Sequence, residues 1–197
     1  MSPGTRTPTV LRVRSRVLLV ALALATIAWA ACGTDPFAIK WSISPDTVTL
    51  YSLARPELGL PSGFNFYNRV PVLVERANST GNWDVAVGTE GAAIVLLPPG
   101  ALNVPGRARV AALPGTTFDE VVEAPADTTL YSAVQPVPVQ MGSVYVIRTN
   151  QSVGSFGTYC VYYAKLAPLE IDAAQGTLRF VFDSSPVCND RALIPKN

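Results

Sequence analysis

The sequence predicts an all-β protein, a single antiparallel sandwich or irregular barrel of nine or ten strands that follows an N-terminal helical signal segment. Three observations carry this. Apolar and polar residues alternate with period two in run after run, the runs are rich in β-branched Val and Thr, and 17 prolines and 14 glycines punctuate the chain. The runs recur at intervals of about ten residues, the spacing of sandwiches and barrels. At 197 residues the chain is long enough for one domain, whose core would bury about two-thirds of the unfolded surface.

Taken in order, the first element is not part of that body. Arg6, Arg12, Arg14 and Arg16 form a basic stretch, Val17 to Ala31 is uncharged, and small residues lead into Cys32. This three-zone layout is that of a secretory signal peptide, whose basic end stays on the cytoplasmic side. The 15 uncharged residues make only ~22 Å of helix against a hydrocarbon core of about 30 Å. The expectation is therefore a signal over residues 1–31, a tether over 32–40 and a single β-rich domain over 41–197, rather than a spanning anchor.

The run Ala28-Trp29-Ala30-Ala31-Cys32 resembles the lipobox of bacterial lipoproteins. In that family small residues precede a cysteine that is diacylated and becomes the mature N-terminus. Ala30, Ala31 and Cys32 match, with Gly33 after them, while Trp29 stands where an aliphatic residue is usual. The resemblance covers only the first thirty-odd residues. It implies lipidation of Cys32, palmitate among the acyl groups, and a membrane partner reached through the lipid. It also implies residence in the outer membrane or at the cell surface where two membranes exist, since Gly33 is not the Asp that signals retention. The alternative is cleavage after the A-x-A formed by Ala28 and Ala30, which releases a soluble exported protein.

Three cysteines in an exported chain leave one odd. If Cys32 carries lipid, Cys160 and Cys188 remain to form a disulfide, which would contribute about 3–4 kcal/mol by constraining the unfolded chain. Two buried free thiols are the alternative. No C-x-x-C spacing accompanies them, so a metal site is not expected.

Within the body, Val48 and Leu50 alternate with Thr47, Thr49 and Tyr51, Val70, Val72 and Val74 with Leu73 and Glu75, and Trp83, Val85 and Val87 with Asp84, Ala86 and Gly88. Pro71 lacks an amide donor and places its strand at an edge. Ala92 to Leu97 is apolar throughout, as in a strand covered on both faces, and Pro98-Pro99-Gly100 stops it. Further strands are expected at Arg107–Ala112, Val144–Thr149, Tyr159–Ala164 and Thr177–Asp183, with weaker ones near Thr128–Ser132 and Val137–Gln140. Asp172 to Gly176 reads as a hairpin loop with Gly176 at positive φ. Thr117–Ala124 reads as a short helix with Asp119, Glu120 and Glu123 near its start. Ser44 to Leu50 resembles the opening strand of bacterial immunoglobulin-like modules over seven residues, a span too short to imply a property.

Charge and composition bound the function. The formal net charge is +1, but the four arginines of the leader leave eleven basic against fourteen acidic side chains beyond it. Nucleic acid is excluded as a partner, because a phosphate backbone needs clustered Lys and Arg. Arg107 and Arg109 are the closest basic pair and read as a solvated strand face. The chain has no histidine, which removes Ser-His-Asp and Cys-His catalysis and His-containing zinc sites. No signature of a cofactor or catalytic centre is present. Asp119, Glu120, Glu123 and Asp127 lack the glycine-centred spacing of a calcium loop and read as a solvated face. Asp183, Asn189 and Asp190 name no metal either. Tyr162 and Lys165 have a spacing of three and no phosphate loop upstream, so they are not a reductase pair.

Phe64, Phe66 and Tyr67 lie among amides in Gly63-Phe64-Asn65-Phe66-Tyr67-Asn68, the composition of a sugar-stacking surface, with Trp83 as a further candidate ring and solvent exposure of these rings as the discriminating observation. The favoured reading instead alternates Phe64 and Phe66 into the core, with Tyr67 capping the strand that follows. The function expected is a non-enzymatic envelope module that binds or supports an envelope protein or a glycan. A carbohydrate-binding sandwich is the second reading and a hydrolase built on two carboxylates the third.

Overall fold

The computed structural model describes residues 41–57, 59–154 and 157–195. The expected signal, the tether and Cys32 lie outside the described residues. Strands β1 (Asp46–Tyr51), β2 (Gly63–Asn65), β3 (Val70–Val72), β4 (Val85–Glu90) and β5 (Ala93–Leu97) come first. Then follow β6 (Arg109–Pro114), β7 (Tyr131–Ser132), β8 (Val137–Pro138) and β9 (Ser143–Arg148). The series closes with β10 (Ser152–Val153), β11 (Tyr159–Cys160), β12 (Tyr163–Asp172) and β13 (Thr177–Ser184).

The strands form an antiparallel sheet of six, ordered β1-β13-β12-β9-β6-β7, packed on a sheet of five, ordered β3-β2-β4-β5-β8. This is the sandwich of the two expected architectures. β10 and β11 pair separately. Pro71 sits in β3 at the rim of the five-stranded sheet, as its missing donor requires. The β12–β13 hairpin turns through Asp172 to Thr177, with Gly176 at φ 60°.

Period-two alternation builds the core. Leu50, Leu178, Phe180, Ile147 and Leu166 from one sheet meet Val85, Val87, Ile94 and Leu96 from the other. Phe64 and Phe66 join Phe180 and Phe182 in an edge-to-face cluster, the closest ring centroids 4.7 Å apart. The uniformly apolar β5 is covered on both faces: Ile94 and Leu96 face the core, while Val95 and Leu97 pack with Trp83 and Ala86 on the outside.

Three local expectations are corrected. Trp83 does not share a face with Val85 and Val87 but packs with Ala86, because the chain turns over at Asp84. The run Tyr159–Ala164 is broken: Tyr162 donates its N–H to Thr149 Oγ1 instead of a sheet carbonyl, and only Tyr163 onward joins the six-stranded sheet. Thr117–Ala124 is not helical. Glu120 accepts from the N–H and hydroxyl of Thr117, as in a capping box, but the chain then extends and pairs Glu123 with Ala192.

That extended segment is clasped over the outer face of the six-stranded sheet, where Val121, Ala124 and Leu193 pack on Ala111, Val144 and Val146. Lys165 holds it from below. Its buried Nζ donates to the carbonyls of Phe118 at 2.8 Å and Val121 at 2.9 Å, and lies 4.5 Å from the centre of the Phe118 ring. Burial lowers the Lys165 pKa, opposed by Asp119 and Asp183. Lys165→Met would fill similar volume but leave both carbonyls unpaired. We expect it to lower the unfolding free energy by about 2 kcal/mol, read by urea denaturation; no change would mean that the clasp does not depend on the ammonium.

Candidate functional site

Strand register assembles a feature that is dispersed in the chain. Arg109 lies directly across from Arg148, and Arg148 across from Tyr163. Their neighbours Val110, Ile147 and Ala164 face the core, so alternation sends this row to the outer face of the sheet. Side chains directly opposite have Cβ atoms about 4.5–5.5 Å apart, and like charges placed so are destabilising. The ion pairs among the described residues join Arg55 to Glu57, Arg69 to Asp183 and Arg191 to Glu123. None includes Arg107, Arg109 or Arg148.

The row forms the floor of a cleft of about 460 Å³. Arg107 and Arg191 complete four guanidinium groups around it, Tyr131 and Tyr163 supply aromatic walls, and no acidic side chain lines it. Arg191 arrives from the C-terminal tail, held there by Glu123 at 2.6 Å and by the Ala124 carbonyl at 3.3 Å. The Tyr131 hydroxyl donates to Pro125 O at 3.2 Å. Burial raises its pKa and the neighbouring Tyr163 adds to this, against the fields of Arg191 and Arg148. Tyr131 is therefore a neutral phenol at physiological pH.

The backbone at Arg107 is held by a polar node that links the two sheets, with Asp84 buried and Asn150 partly so. Asn150 Oδ1 accepts from the N–H of Arg107 at 2.7 Å and of Ala108 at 3.0 Å, while its Nδ2 donates to Trp83 O at 2.7 Å. Asp84, in turn, accepts from Asn150 N at 2.7 Å and from Phe66 N at 2.8 Å. Burial pushes the Asp84 carboxyl up to about 6, against the lowering effect of the two backbone donors. Gly106 permits the close approach, since a Cβ there would stand 2.7 Å from Pro99 Cβ and 3.0 Å from Asn150 Oδ1. Arg148 Nη1 donates to Arg107 O at 3.2 Å and completes the brace.

Of the residues singled out from sequence, Phe64 and Phe66 are 1% and 0% exposed, and Trp83 is equally buried. Phe64 and Phe66 therefore belong to the core, as the favoured reading has it, and drop out of the candidate ligand surface: Phe64 in β2 packs on Phe180, and Phe66 just beyond β2 packs on Phe182. Tyr67 is exposed and stacks on Tyr162 at 4.3 Å. Cys160 and Cys188 form a disulfide, with Cα atoms 5.0 Å apart. Asp119, Glu120, Glu123 and Asp127 are exposed, and the described residues contain no group of acids, cysteines or histidines able to hold a metal. Arg191 pairs with Glu123. The cleft itself escaped sequence reasoning. Arg107 and Arg109 were visible as a pair, but Arg148 and Arg191 are distant in the chain and only register and the returning tail bring them there. No family model matches this chain, and the search of curated proteins found no match to it.

Proposed function

We propose that the chain is an exported lipoprotein of the cell envelope, anchored through Cys32, whose β-sandwich is a non-enzymatic module for binding an envelope protein or glycan. The carrying observation is the Cys160–Cys188 bond. It accounts for two of three cysteines, fits an oxidising compartment, and leaves Cys32 as the odd thiol at the end of a lipobox-like run. Two or three acyl chains on that residue would hold the domain durably at a membrane. Gly33 supports the outer membrane or the cell surface as the destination. Labelled palmitate should enter the wild type and not Cys32→Ser, and the variant should leave the membrane fraction. Equal labelling of both proteins would refute the anchor.

A further inference from the structure

We propose that the arginine cleft is a binding site for a phosphomonoester, with the phosphate held between Arg109 and Arg148 and reached by Arg107. This rests on reading the domain as a binding module. Opposed cross-strand arginines without a carboxylate partner are an unfavourable arrangement that a bound anion would relieve. The charge count selects the anion. A phosphomonoester carries about −1.5 to −2 charges and three acceptor oxygens, enough for three guanidinium groups, whereas a carboxylate has one charge and two oxygens. Arginine forks bind such oxygens bidentately.

The backbone brace makes the site preformed. Asn150 fixes the peptide groups of Arg107 and Ala108, and Arg148 ties back to Arg107. The cleft, at about 460 Å³, is in the size range of small-ligand sites and exceeds what a phosphate alone would occupy. Tyr131, Tyr163, Pro125 and Ala133 would face the organic part of the ligand. That part is either a soluble molecule such as a sugar phosphate or the glycerol of a phosphate-bearing lipid headgroup.

The test is calorimetric titration of the full chain with glucose 6-phosphate and with glucose. A parallel arm measures binding to phosphatidylcholine vesicles with and without phosphatidic acid. Glucose should not bind. Saturable binding of glucose 6-phosphate identifies a soluble source. A preference for phosphatidic acid that disappears in Arg109→Gln/Arg148→Gln identifies a headgroup. The double variant should weaken either interaction about tenfold or more, with an unchanged or higher melting temperature because the opposed charges are gone. Arg148→Lys keeps the charge but loses the fork, and should give a smaller loss on a native fold. Binding that is equal in the wild type and the double variant overturns the proposal, as does the absence of binding in both arms. Palmitate labelling is independent of these outcomes, so the anchor and the cleft fail separately.

Discussion

Asp84→Ala is expected to be the most damaging single substitution in the domain, lowering the unfolding free energy by about 3–5 kcal/mol. It removes both acceptors from the N–H groups of Phe66 and Asn150 and leaves two donors unpaired between the sheets. Asn150 would then lose the contact that fixes it against Arg107 and Ala108. Asp84→Asn is the gentler probe: it keeps the volume and one acceptor but faces the other N–H with an amide donor.

The same carboxyl creates a measurable pH dependence. Its folded pKa is raised to about 6, against about 3.9 in the unfolded chain. Between those values the native state binds more protons than the unfolded state, so the contribution of Asp84 to stability falls as pH rises through about 4 to 6. Above that window the cost of a buried, ionised carboxylate is fully present. Lowering the pH from 7.5 to 4.5 should therefore stabilise the wild type relative to Asp84→Asn by about 2 kcal/mol. The measurement is urea denaturation of both proteins at the two pH values, in which groups common to both cancel. A difference that does not change with pH would show that the carboxyl titrates normally.

Breaking the Cys160–Cys188 bond is expected to cost about 3–4 kcal/mol and lower the melting temperature by about 10 °C. The bond closes a sequence separation of 28 residues and joins the β10–β11 pair to the segment after β13. Gly154 packs against the Cys160 sulfur where no side chain would fit. Asn189 reinforces the junction: its N–H donates to Val161 O, and its side chain accepts from Val161 N and donates to Tyr159 O. Reduction should expose these amides to hydrogen exchange first. The tail beyond them should persist longer, since Leu193 is buried and its N–H donates to Val122 O. An unchanged melting temperature after verified reduction would mean that these bonds suffice without the disulfide.

Much of the fold was legible because strands declare themselves locally. Val48 and Leu50 in β1, the uniformly apolar β5 and the Asp172–Gly176 hairpin each follow from the neighbours' identities and the two-residue period. What failed was what depends on partners. Glu120 caps Thr117 as a helix start would, yet pairing with the tail and the grip of Lys165 draw the following residues out straight. Trp83 shows period two ahead of β4, but Asp84 turns inward to meet Phe66 and Asn150 and reverses the faces.

By itself the sequence determined an antiparallel β body, its edge proline, the excluded histidine chemistry and the cysteines available to pair, because these follow from residue type and local spacing. Only the tertiary structure decided sandwich over barrel, buried Phe64 and Phe66, and set Arg109 across from Arg148 beside Arg107 and Arg191. Register and layer packing join residues far apart in the chain, and alternation within one strand carries no record of which strand will lie beside it.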